Sequence, residues 1–434
     1  MTVREDETQA HDSFLRILLV FLRLGLTSFG GPVAHLGYFR KEFVTRLRWI
    51  DEKGFADLVA IGQFLPVPAS SQVGFALGVL RGGFKGGLAA WLGFTMPSAV
   101  VMLLAAYGVD VLSGQVGTAL VHGLKLVAVA VVAQAVWGMA NGLCPDWPRA
   151  TLAILAAAAL LLLPAAGTQI GVLLAGAAAG LALYGDAALS APDAVLPFRV
   201  PRAAAVLALV LVPVLLVSWW LLATVTGSHA MAMVEAFYRA GLLVFGGGHV
   251  VLPLLERAMV PAGWISANDF LAGYGVAQAV PDPLFTLAAF LGAAQSPGPN
   301  GVLGGMLALV AVFLPGLLLM YGMLPFWDSL KSRRAVQAAL MGVNATVVDV
   351  LLAALFSPIW ISAVRSPADF AIVLLAFAAL VLWRAPVLLV VVATACAGLV
   401  SMLAQQPSNG RRSRSPRGGT RPARRLSGWA GEAR

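Results

Sequence analysis

Charge is what this chain has least of. Only 11% of its 434 residues are Asp, Glu, Lys or Arg, where a soluble globular domain carries roughly 25%. With 59% hydrophobic side chains and a mean hydropathy of +0.86, an ordinary water-soluble enzyme is excluded. Cysteine is nearly missing. Cys144 and Cys396 are the two present; they form no redox or metal-ligand spacing and read as structural. The period-two segments of a membrane β-barrel are missing as well, as are a GxxxxGK[ST] phosphate loop and any flavin or haem fingerprint, so no cofactor and no metal is expected. The start, Arg4-Glu5-Asp6-Glu7, is acidic where a cleavable leader would be basic, and the chain is expected to insert whole.

What is abundant is apolar sequence, about 256 side chains at 59% of the chain. At about 20 residues per spanning helix this supplies roughly a dozen crossings. Gly 46 and Pro 25 suit membrane helices that approach closely and break. Thirteen apolar runs lie between residues 14 and 403. Some are interrupted by Pro or Gly, and those at 150–186 and 361–403 are close enough for tight hairpins, so about 11–13 membrane segments are expected, some re-entrant. The fold class is an all-α polytopic membrane protein. Residues 407–434 differ in kind, with eight Arg and one Glu among Ser, Gly and Pro. They read as a disordered tail attracted to anionic lipid. Nucleic-acid binding is not expected, because Trp429 is the one aromatic residue there.

The halves match each other. Phe21-Leu22-Arg23-Leu24-Gly25-Leu26-Thr27-Ser28-Phe29-Gly30-Gly31 aligns at an offset of 216 with Phe237-Tyr238-Arg239-Ala240-Gly241-Leu242-Leu243-Val244-Phe245-Gly246-Gly247, with seven identities in eleven positions. At an offset of 215 follow Trp49-Ile50 with Trp264-Ile265, Gln63 with Gln278, Pro66 with Pro281, Pro68 with Pro283 and Phe75 with Phe290. At 218 come Gly86-Gly87 with Gly304-Gly305 and Pro97 with Pro315. The expected organisation is a repeat at 1–186, a linker with a connecting span at 187–230, a second repeat at 231–406 and the tail.

Charge orients the repeats. The loop from Leu36 to Gly54 holds Arg40, Lys41, Arg46, Arg48 and Lys53, whereas its counterpart from Glu256 to Asp269 holds Arg257. By the positive-inside rule the first loop is cytoplasmic and the second is not, which makes the repeats inverted in topology. Lys331, Arg333 and Arg334 then fall outside, against the rule.

Inverted repeats place a substrate near the midplane, between broken helices whose ends supply partial charge. Asp51 and Ser266 read as N-caps, each opening a helix of about fifteen residues that runs to Pro66-Val67-Pro68 or Pro281-Asp282-Pro283. At about 1.5 Å per residue the break lies roughly 22 Å along, inside the bilayer. The helix that resumes offers free N–H groups and a positive dipole end, which suits an anion; a packing kink is the plainer reading. Gly30, Gly31, Gly246 and Gly247 permit close approach of a ligand or of another helix. Arg23 and Arg239 precede these glycines by two turns, and a guanidinium fork fits a tetrahedral oxyanion. Snorkelling accounts for Arg16. Lys125 and Asp349 are candidates for proton or charge coupling, or for a mutual ion pair. His35, His122, His249 and Glu235 read as satisfied contacts near span ends.

With those residues in view the sequence resembles the chromate ion transporter family in its long two-repeat form. The stretches that carry the resemblance are FGGPVAH (Phe29 to His35), QFLPVPASSQVGFALG (Gln63 to Gly78), AAWLGFTMPSA (Ala89 to Ala99) and AQAVPDPLFTLAAFLGA (Ala277 to Ala293). The resemblance implies a multi-pass protein of the cell inner membrane, not an enzyme, that exports chromate and gives resistance, with sulfate or protons as coupling species. A homo-oligomer is compatible with it. The candidate substrate-binding set, from the repeated breaks, glycines and arginines, is Arg23, Gly30, Gly31, Gln63, Pro66, Pro68, Arg239, Gly246, Gly247, Gln278, Pro281 and Pro283. Alternatives are a sulfate or other inorganic anion carrier or channel, and a membrane-bound chromate reductase. The family pattern has Gly between the paired prolines. Here Val67 and Asp282 stand there, and Asp282 puts a carboxylate where an anion should approach, to be neutralised by Arg239 or to titrate in proton coupling.

Overall fold

The computed structural model describes residues 12–28, 31–66, 68–111, 115–163, 168–185, 200–244, 250–278, 280, 284–331 and 333–405. Among them every regular element is helical and none is a strand. The first half holds α1 (Phe14–Thr27), α2 (Gly31–Phe39) with a π-helical extension (Arg40–Arg46), α3 (Glu52–Phe64), α4 (Ala69–Val111), α5 (Gln115–Leu143), α6 (Trp147–Leu162) and α7 (Thr168–Tyr184). After α8 (Arg202–Thr226) come α9 (His229–Leu242), α10 (Val251–Met259), α11 (Ala267–Ala277), α12 (Leu287–Ala294), α13 (Gly301–Met323), α14 (Trp327–Lys331), α15 (Arg334–Ala354), α16 (Ile361–Ala363), α17 (Pro367–Val381) and α18 (Val387–Gln405). The Arg-rich tail lies outside the described residues.

Four of these stretches are long and apolar enough to cross a bilayer: Ala69–Gly108, His122–Asn141, Arg202–Thr226 and Gly301–Leu330. Shorter apolar helices, among them Trp147–Leu162, Ile170–Tyr184 and Pro367–Val381, surround them. The protein is an all-α polytopic membrane protein. α8 shows its lipid face plainly, because Leu207, Val210, Val214, Val217 and Leu221 are all exposed, which only hydrocarbon accommodates at this density.

Both expected caps form. Asp51 accepts the Gly54 amide at 2.9 Å and Ser266 accepts the Asp269 amide at 3.1 Å, satisfying donors that a helix start leaves open. Leu65 turns extended (ψ 152°) after α3, as a residue before proline must. α4 is not one rod. Gly82 (φ −145°, ψ 20°) and Gly83 (φ 60°, ψ −156°) leave the helical region, the second in a conformation that side chains resist. Limbs 69–81 and 84–111 therefore fold against each other. Asp12 ties this bend to α1, taking Arg81 Nε at 2.8 Å and Arg16 Nη1 at 2.6 Å. Arg16 is thus held by a carboxylate.

Helix contacts repeat with the sequence. A Cβ on Gly78 would lie 2.3 Å from the Gly86 carbonyl oxygen, and one on Gly292 would lie 2.4 Å from that of Gly304. A Cβ on Gly25 would lie 2.4 Å from the Phe94 carbonyl oxygen, and one on Gly241 would lie 2.0 Å from that of Val312. The outer helices are interlaced between halves. α5 packs on α18, where a Cβ on Gly398 would lie 2.5 Å from the Ala119 carbonyl oxygen, and α15 packs on α7, where one on Gly180 would lie 2.2 Å from that of Ala338. Ala119 and Ala338 are 219 residues apart and Gly180 and Gly398 are 218 apart, close to the offset of the later part of the repeat, so the halves exchange equivalent contacts.

These approaches make a test of packing. A Cβ on Gly342 would sit 1.9 Å from the Gly176 carbonyl oxygen, whereas Gly138 has nothing within 4 Å. Gly342→Val should destabilise by about 3 kcal/mol or more, since backbone cannot yield as a side chain can, and Gly138→Val by much less. Thermal unfolding of the detergent-solubilised protein, followed by size-exclusion fluorescence, should separate the two; equal behaviour would contradict the interlaced packing.

Candidate functional site

The first break is described through Pro66 and Pro68, both buried. Two prolines there remove backbone donors and end α3. α4 then starts at Ala69 with Ser70, Ser71 and Gln72 in its first turn, where the helix presents open N–H groups and the positive end of its dipole. Ser70 is 0% exposed, Ser71 4% and Gln72 0%. Among the described residues the Ser70 and Ser71 hydroxyls and the Gln72 Oε1 have no hydrogen-bond partner. The Gln72 Nε2 donates to the Pro66 carbonyl at 2.8 Å and more weakly to that of Gly316 at 3.4 Å.

Further buried polar groups lack a partner among the described residues. Ser28 ends α1 with its hydroxyl buried and unpaired. His35 on α2 donates from Nε2 to the Ser28 carbonyl at 3.0 Å, which leaves its buried Nδ1 open, and its ring lies 5.3 Å from that of Phe94. Beyond Phe94, Thr95 and Ser98 carry buried hydroxyls without partners. Phe39 joins these parts: it lies 5.1 Å from Phe94, and Gly74, one turn past Ser70 and Ser71, packs against it. Buried polar atoms are ordinarily paired, and each left open costs about 1–3 kcal/mol. The Ser70 and Ser71 hydroxyls at the start of α4, like those of Ser28, Thr95 and Ser98, are open donors, whereas the Gln72 Oε1 and the His35 Nδ1 are open acceptors.

The second break has a different character. Pro281, Asp282 and Pro283 lie outside the described residues, as do Val67, Gly30, Gly246, Gly247 and His249 and the side chain of Gln63. Gln278 ends α11 with a buried, unpartnered amide nitrogen. A 3-10 turn, Leu284–Thr286, leads into α12. Its Phe285 lies 5.4 Å from Phe313 of α13, and Phe313 lies 5.7 Å from Trp91 of α4. The segments that resume after both breaks thus meet on α13, which Gln72 also reaches. At the positions equivalent to Ser70, Ser71, Gln72, Thr95 and Ser98 stand Phe285, Thr286, Leu287, Phe313 and Gly316. Among these described positions the polar side chains belong to the first half, with Thr286 the one polar counterpart.

The charged candidates are placed elsewhere. Arg23 is exposed on the face of α1 that carries Leu15, Leu19 and Leu26, opposite buried Ile17, Phe21 and Leu24. It has no ion-pair partner among the described residues. The Arg239 guanidinium lies 2.8 Å from the Glu235 carboxylate. Lys125 donates to Asn268 of α11, and the side chain of Asp349 lies outside the described residues. His122 pairs with Asp369 of α17 at 2.8 Å. His35, read as a contact near a span end, is instead fully buried. Among the described residues no group of three or more His, Cys, Asp or Glu could hold a metal ion.

The residues that sequence reasoning passed over are Ser28, Ser70, Ser71, Gln72, Thr95 and Ser98. A signal was present: Ser-Ser-Gln follows Pro66-Val67-Pro68 immediately, polar residues in the first turn of a helix that starts at membrane depth.

Comparison with known proteins agrees with this architecture. A chromate transporter family model matches residues 15–181 and again 231–399. The chain is 29% identical over 369 residues to the chromate transport protein of Pseudomonas aeruginosa, covering 82% of this chain and 83% of that one. It is 24% identical over 363 residues to the chromate transport protein of Cupriavidus metallidurans (83% and 85%). It is 23% identical over 353 residues to the probable chromate transport protein of Synechococcus elongatus (79% and 84%). No solved structure matches significantly. The matched regions take in both breaks and both sets of exchanged helix contacts, so the chain belongs to the chromate transporter family, in its two-repeat form.

Proposed function

We propose that this protein is a secondary transporter that exports chromate across the inner membrane by alternating access between two inverted repeats, and so confers chromate resistance. The observation that carries this reading is the start of α4: two hydroxyls, buried and without a partner among the described residues, at the positive end of a helix that resumes after a proline break. A tetrahedral dianion accepts many hydrogen bonds and needs no fixed cation when helix ends and hydroxyls surround it. Gly30, Gly31, Gly246 and Gly247 admit backbone close to the anion, and Gln63 and Gln278 border the breaks between Pro66 and Pro68 and between Pro281 and Pro283. Arg23 and Arg239 supply positive charge on the way to the site. The relatives' names point to chromate.

Export follows from energetics. A dianion leaving a cell that is negative inside by about 100 mV gains roughly 4.6 kcal/mol, equivalent to more than a thousandfold gradient. Sulfate is the second reading, because hydroxyls and the backbone N–H groups of a helix start suit any tetrahedral dianion. Uptake of labelled chromate into everted vesicles, with and without excess sulfate, tests both. Chromate accumulation that sulfate reduces only by competition supports the proposal; sulfate accumulation without chromate accumulation overturns it in favour of a sulfate carrier. Loss of Cr(VI) from the medium without accumulation in the vesicles would indicate a reductase.

A further inference from the structure

Not every contact between the halves is exchanged. α11 packs on α5: a Cβ on Gly275 would lie 2.7 Å from Leu124 Cβ, Leu271 is 2% exposed, and Lys125 donates to Asn268. Asn268, Leu271 and Gly275 are spaced three and four apart and form one helix face. Their equivalents on α3, at an offset of 215, are Lys53, Ala56 and Ala60, and the equivalents of Leu124 and Lys125 on α15, at 219, are Val343 and Asn344. Among the described residues α3 does not pack along α15 as α11 packs along α5. Lys53 and Ala56 are exposed and Ala60 is half-buried. The same pairing of residue types is nonetheless present with its members exchanged: Lys on α5 meets Asn on α11, and Lys on α3 would meet Asn on α15.

We propose that Lys125–Asn268 and Lys53–Asn344 are the two latches of an alternating gate, closed in turn on opposite sides of the membrane. This rests on the inverted orientation and transport role proposed above. By the charge of the Leu36 to Gly54 loop, the Lys53 side is cytoplasmic, so this structure is closed outside and open inside. In the opposite state α3 swings onto α15, burying Ala56 and Ala60 against Val343, while α11 leaves α5. A Lys–Asn latch suits the task. One hydrogen bond to an ammonium is strong enough to bias a two-state element, and an uncharged partner leaves no carboxylate to be desolvated or to repel the anion when the gate parts.

The test reads the protein alone, so its failure is separable from failure of the substrate assignment. In a background carrying Cys144→Ser and Cys396→Ser, single Ala56→Cys and Leu271→Cys variants are labelled with a hydrophilic maleimide in open membranes. In the resting protein Ala56→Cys should react at least tenfold faster. Adding Lys125→Ala should slow Ala56→Cys and speed Leu271→Cys so that the ratio of the two rates falls about tenfold, the effect of losing ~1.4 kcal/mol of latch. Adding Lys53→Ala should drive both rates the other way. A change in the same direction at both positions, as misfolding would give, or no change at either, overturns the proposal. A second arm uses Lys53→Cys with Asn344→Cys and Lys125→Cys with Asn268→Cys in one chain. Disulfides at the two sites should exclude each other. Both bonds in one molecule, or no 53–344 bond under oxidation, would count against it.

Discussion

Ser70→Ala combined with Ser71→Ala should abolish chromate transport while making the empty protein more stable. The two effects have one cause. Each hydroxyl is buried without a partner, which costs the empty protein about 1–3 kcal/mol per group. Alanine removes that cost without leaving a large cavity. The bound anion, by contrast, loses two donors, and hydrogen bonds to a charged group contribute about 1.5–3 kcal/mol each. Flux at sub-saturating chromate should fall by roughly a hundredfold or more, with unfolding temperature raised or unchanged. Proteoliposome flux and detergent-state melting measure the two sides. A double variant that transports within twofold of the parent, or that melts earlier, would show that the hydroxyls serve packing and not the anion. Thr286, which stands where Ser71 stands in the first half, provides the contrast: Thr286→Val should leave flux within a few-fold, because the polar lining is concentrated at the first break.

That asymmetry also explains how much of the molecule could be read from its sequence. The breaks were legible because proline has one unavoidable effect on a helix, and the caps at Asp51 and Ser266 because a side-chain oxygen before an apolar run has few other uses. Repetition made the halves visible through their identities, and for the same reason hid the site: Ser70, Ser71 and Gln72 differ from Phe285, Thr286 and Leu287, so a search for agreement passes over them. Interlacing of the halves was not legible at all. Gly123 and Gly398 touch across most of the chain, and nothing local to either glycine distinguishes a neighbour in its own half from one in the other. The runs at 150–186 and 361–403 do form consecutive helices, yet α7 packs chiefly on α15 and α18 on α5. Lys125 likewise finds Asn268, a residue of the other half that no spacing connects to it. Arg23 and Arg239 align in sequence, but one is exposed without a partner among the described residues and the other is held by Glu235.

The two arginines therefore predict different phenotypes, and the difference separates a ligand role from a structural one. Arg239→Gln leaves the Glu235 carboxylate, 13% exposed, without its counter-charge. Arg239 itself is 42% exposed, so the loss is that of a partly screened pair, about 1–2 kcal/mol. Glu235→Gln added to Arg239→Gln should restore stability, because neither charge is then stranded. Flux should not return if the guanidinium meets the anion, and should recover to within twofold if Arg239 only neutralises Glu235. Arg239→Lys sharpens the distinction: it preserves the ion pair but loses the planar fork that a tetrahedral oxyanion accepts in two places, so a ligand role predicts weaker chromate affinity at normal stability. Arg23→Gln breaks no ion pair among the described residues and should leave melting unchanged, while flux falls about tenfold or more through loss of one charge-assisted contact. Full flux in Arg23→Gln would place that side chain among the lipid-facing leucines of α1 as a snorkelling residue, with the anion recognised by the helix start and its hydroxyls.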